Sequence, residues 1–231
     1  SNAPRPAASV AQQLDRIGVA RAAYDAIISS GDAARASIAT AVGEGRSIGH
    51  IGPERDRPLF DGLGARFAEL EAADVAVCTG LFDDETDTPD DYAARLGALA
   101  QRKVPMICAN PDLTVERGGK IVFCAGAIAV AYEKLGGKVV YAGKPYLPIY
   151  AMAFETAAKL RGAAVGKERV LAIGDGIRTD IAGAAAAGVA SVFVASGIHV
   201  ATDKPFDGAA LDALFPPGSP RPVAAMTGLR W

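Results

Sequence analysis

The stretch Val170-Leu-Ala-Ile-Gly-Asp-Gly-Ile-Arg-Thr-Asp180 runs from a short apolar strand, through a glycine turn, to the start of a helix. The strand ends at Gly174, Asp175 follows at its carboxyl edge, and Asp180 stands five positions on. In sheets built of parallel strands, ligands bind beyond the carboxyl ends of the strands. Two acids there offer hard oxygen ligands for Mg²⁺. Gly176 lets backbone N–H groups approach a phosphate, and a helix start favours an anion. A plain Gly-Asp-Gly turn, with Thr179 or Asp180 capping the next helix, explains the same letters equally well.

Outward from this stretch the chain keeps alternating short β-branched runs with amphipathic or Ala-rich segments. Strands are expected at 25–29, 47–51, 74–79, 104–109, 138–142, 169–173 and 191–194. Helices are expected at 7–17, 31–42, about 88–102, 124–135, 147–161 and 180–187, with Gly18, Gly136 and Gly188 as stops. Residues 114–123 carry Gly118-Gly119 between two strand-like halves and read as a hairpin. The tail from Ala201 is expected to be irregular apart from a short helix near 209–215. Strand–helix alternation of this kind predicts an α/β fold, a parallel sheet with helices on both faces.

Composition removes several function classes. Of 231 residues, 24 are Lys or Arg and 26 Asp or Glu, a net charge of −2 that leaves no basic surplus for a nucleic-acid backbone. Apolar runs break well short of a bilayer span, and there is no signal-peptide pattern, so neither nucleic acid nor membrane is expected as a partner. Cys78, Cys108 and Cys124 form no C-x-x-C pair; they read as small buried hydrophobes in a reducing, cytoplasmic compartment. His50 and His199, the only histidines, support neither a zinc site nor a triad hydrolase, and no G-x-S-x-G is present. Gly174-Asp-Gly176 fails as a dinucleotide fingerprint, because Thr179 stands where its third glycine belongs.

Two more short motifs matter by their order. Tyr141-Ala-Gly-Lys-Pro145 runs a strand into a glycine turn and presents Lys144 at the sheet edge, where an ammonium can neutralise a phosphoryl oxygen. Ser1-Asn2 stands just before a helix, and its hydroxyl and amide can donate to phosphate oxygens. Ser1-Asn2-Ala3 also reads as a cloning remnant; the order of the three motifs favours native residues.

Ser-Asn before a helix, then Gly-Lys-Pro, then Gly-Asp-x-x-x-x-Asp closely resembles motifs two, three and four of the haloacid dehalogenase (HAD) superfamily. Ala109-Asn-Pro-Asp112 and the Arg178-Thr-Asp-Ile181 continuation resemble its subclass IIA, the NagD-like branch. The resemblance spans Ser1 to about Gly197. It implies a Rossmann-like core of residues 1–30 and 139–231 with an inserted α/β cap at 31–138. It further implies a Mg²⁺-dependent phosphomonoester hydrolase acting on a small phosphorylated metabolite through an aspartyl-phosphate, paired with a second copy through the cap. On the matching positions, Ser1, Asn2 and Lys144 would bind the phosphoryl group and Asp175 and Asp180 would serve the metal. Gly176, Arg178, Asn110 and Asp112 would lie near the substrate.

The family's first motif, a strand ending in the nucleophilic Asp, has no match ahead of Ser1. Phe82-Asp-Asp-Glu-Thr-Asp87 lacks the following glycine and leads into a capped helix. The expectation is therefore that the nucleophile and a central strand belong to a missing N-terminal segment, and that the chain as given does not turn over. The alternative is a non-catalytic protein that binds a phosphorylated ligand.

Overall fold

A computed structural model of the chain describes residues 1–195 and 207–228 and divides it into two compact units, Ser1–Gly143 and Lys144–Trp231. His199 and the expected irregular stretch at 201–206 lie outside the described residues.

The first unit opens with α1 (Ala7–Arg16) and α2 (Ser30–Gly43), then β1 (Ile48–Ile51), β2 (Val75–Cys78), α3 (Ala93–Gln101) and β3 (Met106–Cys108). A hairpin of β4 (Thr114–Arg117) and β5 (Lys120–Phe123), helix α4 (Ala125–Lys134) and β6 (Val139–Tyr141) complete it. Its sheet runs β1-β2-β3-β6, all parallel, with Ile48 opposite Val75, Ala76 opposite Met106 and Met106 opposite Val139. All four residues of β2 are buried, as a strand covered on both faces requires. Against it pack Leu81, Leu96, Leu99, Ile128 and Tyr132, each essentially inaccessible and each contributing about 1.5–3 kcal/mol of transfer energy. Gly137 is required there: a Cβ at that position would stand 2.3 Å from the Tyr132 ring. All three thiols are buried in this unit, and burial pushes those of Cys108 and Cys124 up to about 12, so they behave as apolar groups.

Residues 25–29, expected as a strand, form none. The segment around them instead exchanges single hydrogen bonds with the chain start: Ser30 N–H to the Ser1 carbonyl at 2.7 Å and Gly31 N–H to the Ala3 carbonyl at 3.0 Å. Pro4 and Pro6 in the facing segment have no N–H to continue a ladder. Helix α2 begins one residue earlier than expected, on a capping box between Ser29 and Asp32.

The second unit holds α5 (Leu147–Arg161), β7 (Leu171–Gly174), α6 (Ala182–Ala187), β8 (Ala190–Val194), α7 (Gly208–Leu214) and β9 (Ala224–Met226). Its sheet runs β7-β8-β9, parallel throughout, with Gly174 opposite Phe193. Phe193 and Phe215 meet edge to face at 5.3 Å over Ile181; Ala184, Ala187 and Val189 form a second cluster with Tyr150 and Phe154. Strand β9 was not expected, because Ala-Ala-Met carries no strand signal and pairs only because β8 lies beside it. Among the described residues no helix is long and apolar enough to cross a membrane.

Candidate functional site

In the second unit the candidate residues gather at the carboxyl end of β7. The chain leaves Gly174, passes exposed Asp175, and enters a π-helical turn, Ile177–Ile181, before α6. Such turns concentrate at functional sites. Within it the Asp180 carboxylate folds back: one oxygen accepts the Gly176 N–H at 3.0 Å and the other meets the Lys144 ammonium at 2.5 Å. Both glycines leave room in this turn. A Cβ on Gly174 would fall 2.3 Å from the Asp180 carboxyl carbon, and one on Gly176 would fall 2.1 Å from the Thr179 hydroxyl. The Lys144 and Asp180 side chains are 25% and 15% exposed, enough shielding for their attraction to fix geometry. Arg178 lies exposed in the same turn.

Tyr150, on α5, was not singled out from sequence. Its hydroxyl lies 3.4 Å from the Asp180 carbonyl, and Gly183 on α6 leaves room for it, since a Cβ there would be 2.4 Å away. Burial, then the Asp180 charge, push the phenol up to about 12, so it remains protonated. Tyr150 thereby ties the helix that follows Lys144 to the helix that follows Asp180. An isolated Gly in an Ala-rich helix is the one signal that marked the contact.

In the first unit a second group assembles. The Asn2 side chain, 8% exposed, donates its amide to the Asp112 carboxylate at 3.0 Å. The Asp112 N–H donates to the Asn110 side-chain oxygen at 3.0 Å, closing an Asx turn over Pro111. Gly143 has φ +108°, and a Cβ there would stand 2.4 Å from the Ser30 hydroxyl and 2.8 Å from the Asn2 side-chain oxygen. Buried Ser30 donates to the Ala142 carbonyl, so it steadies the turn at Gly143. The Ser1 hydroxyl accepts the Ala3 N–H at 3.2 Å. Ser30 was missed from sequence because only its neighbours Ser29 and Asp32 carry a helix-start signal.

The structure thus brings Asn2, Asn110, Asp112 and Gly143 together in one unit, and Lys144, Gly176 and Asp180 in the other, with Asp175 at the same strand end. As a metal site the second group offers carboxylates only. Asp175 is exposed and makes no ion pair among the described residues, whereas both Asp180 oxygens are engaged. Among the described residues no cluster of three or more acids, histidines or cysteines could hold a metal. That donor set fits Mg²⁺, which needs one or two carboxylates and completes its shell with water and phosphate oxygens.

The HAD-hydrolase-like family profile matches residues 141–215, which include Lys144, Asp175 and Asp180. The chain is 42% identical to a haloacid dehalogenase-like family hydrolase from Brucella suis 1330, covering 99% of this chain and 81% of that one with a TM-score of 0.86. The fold is shared with a 4-nitrophenylphosphatase from Thermotoga maritima (22% identity, 98% and 78% covered, TM-score 0.70). It is shared too with a glycerol phosphate phosphatase from Mycobacterium tuberculosis in complex with calcium (23%, 97% and 62%, 0.67). Among curated proteins no match was found.

Proposed function

The chain belongs to the haloacid dehalogenase-like hydrolases, and on that premise we propose that it serves the Mg²⁺-dependent hydrolysis of a small phosphomonoester. The Lys144–Asp180–Gly176 arrangement beside exposed Asp175, at the carboxyl end of a parallel strand, carries the reading. Residues 1–30 and 139–231 are proposed as the core and 31–138 as the cap. The three buried, unpaired thiols support a reducing compartment, taken as the cytoplasm.

In this reading Asp175 would hold Mg²⁺, with Asp180 in support, and the ion would supply positive charge beside the phosphoryl oxygens. Lys144 adds a second positive charge, and Asp180 holds that ammonium in place. The Asp112 carboxylate holds the Asn2 amide in place, and Asn2 is proposed to lie near the phosphoryl group. Ser1, Gly176, Arg178 and Asn110 complete the proposed lining. In the chemistry the family resemblance implies, a carboxylate oxygen bonds to phosphorus while the ester oxygen leaves with a proton from a second acid. Water then cleaves the acyl phosphate.

The attacking carboxylate is assigned to none of these residues: both Asp180 oxygens are engaged, and Asp175 is the proposed metal ligand. That observation favours, as the second reading, binding of a phosphorylated ligand without turnover by the 231-residue chain. Phosphate release from 4-nitrophenyl phosphate with and without Mg²⁺, beside Asp175→Asn, tests both. Mg²⁺-dependent release abolished by Asp175→Asn establishes the hydrolase. Silence with Mg²⁺-dependent phosphate binding, lost in Asp175→Asn, supports the second reading. Neither release nor binding sinks both.

A further inference from the structure

A cavity of about 400 Å³ opens in the first unit, and none of its lining belongs to the proposed phosphoryl set. Its wall combines Arg57 and Arg95 with Phe67, Leu70 and Phe82, and His50. Each guanidinium sits by an aromatic ring: Arg57 lies 4.5 Å from the centre of Phe67, and Arg95 lies 5.6 Å from that of Phe82. A guanidinium stacked in this way keeps its N–H edge for a planar anion. Among the described residues Arg95 makes no ion pair, and Arg57 pairs with Glu54 alone, at a long, exposed 3.4 Å. Phe67 and Phe82 are 43% and 42% exposed, so two large apolar faces meet solvent beside the two cations.

His50 completes the wall. Its Nε2 lies 2.9 Å from the Thr79 hydroxyl. Gly52 makes room for that contact, since a Cβ there would be 2.0 Å from the Thr79 hydroxyl oxygen. Burial, then Arg57, push His50 down to about 4, so its ring is neutral at neutral pH. Glu69 and Glu71 also line the cavity and balance the two arginines. A polyanion would gain little there, whereas one carboxylate held by a guanidinium, with an apolar ring against the aromatic wall, uses both the cationic and the apolar lining.

We propose that this cavity is a binding site for a small planar aromatic monocarboxylate, its carboxylate on Arg95 and Arg57 and its ring against Phe67, Leu70 and Phe82. The probe is benzoate, titrated into the full chain by calorimetry with inorganic phosphate present throughout to fill the phosphoryl site. Saturable one-to-one binding is expected, weakened roughly tenfold by Arg95→Gln, a loss on the scale of one charge-assisted contact. Lys144→Ala should leave it unchanged, and Arg95→Lys should recover only part of it, because an ammonium lacks the planar fork. Circular dichroism establishes that each variant folds, and Phe82→Ala provides an independent wall variant should Arg95→Gln misfold. Absence of saturable binding, or binding indifferent to both Arg95→Gln and Phe82→Ala, overturns the site. Loss of binding in Lys144→Ala places benzoate in the phosphoryl site and equally overturns the proposal. Arg95-dependent binding of phosphate as tight as that of benzoate overturns the monocarboxylate class.

Discussion

At the scale of single residues, Asp112 is distinguished by what it does to Asn2. A buried amide pinned by a carboxylate has one orientation instead of several, and on the proposed function that fixed amide lies near the phosphoryl group. Asp112→Ala is therefore expected to weaken inorganic phosphate binding roughly tenfold with little change in thermal stability, and Asp112→Asn, which keeps an acceptor, to restore most of it. Equal affinity in all three proteins, read by calorimetry, would remove Asp112 from the site. His50 makes a pH prediction. Its folded pKa of about 4 lies below the unfolded value of 6.5, so the folded state resists its protonation. Its contribution is whole above about pH 6.5 and is lost as pH falls towards 4, at most about 3 kcal/mol and less for a partly accessible ring. Buried Asp56 works in the opposite sense: burial raises its pKa, so protonation favours the folded state at the acid end. The clean window is pH 5 to 7, where urea unfolding should show wild-type stability falling and His50→Gln nearly flat. Parallel slopes would refute the assignment.

At the scale of elements, helix α2 and the β7 turn show which parts of the fold were legible in the sequence. Helix α5 has the bounds its sequence predicts, because Pro148 sits in the first turn and Gly162, at φ +69°, caps the end. Strand β2 was equally plain, a wholly apolar run with no other way to be buried. Residues 25–29 and 224–226 went wrong in opposite directions for one reason: a strand is defined by its partner, and no local pattern carries the partner. In the site, the Gly-Asp-x-x-x-x-Asp spacing and Gly-Lys-Pro were readable. The π-helical turn, Ser30, Tyr150 and Gly183 were not, because they act through close approach in space. Two element-level outcomes follow. Ser29→Ala removes both the N-cap bond to Asp32 N–H at 3.0 Å and the hydroxyl's bond to the Arg5 carbonyl at 2.7 Å, and should cost about 1–2 kcal/mol in chemical denaturation. Gly174→Ala drives a methyl into the Asp180 carboxylate and should release Lys144 from it, read as a weaker phosphate affinity far exceeding any loss of stability. A Gly174→Ala protein that binds phosphate normally would show that the return of Asp180 is dispensable.

At the scale of the whole molecule, the exposed sheet edges decide how the 231-residue chain behaves in solution. Strand β7 pairs with β8 on one side, and among the described residues no strand pairs with its other side. Leu171 and Ile173 on β7 are 51% and 49% exposed, and Val140 on β6, the end strand of the other sheet, is 51% exposed. An open edge with β-branched and leucine side chains is a template for another strand, and the usual guards, charge and proline, are missing from Leu171–Gly174. A net charge of −2 adds little repulsion between copies. Self-association that grows with protein concentration is therefore expected in sedimentation velocity. Ile173→Lys, which puts a charge on that edge, should shift the chain markedly towards monomer. Leu160→Lys is the matched control, since Leu160 is 59% exposed on helix α5 and belongs to no strand, and its change should do nothing to the distribution. A chain that stays monomeric at every concentration, or one that Ile173→Lys and Leu160→Lys affect alike, would show that the open edge of β7 is not what brings copies together.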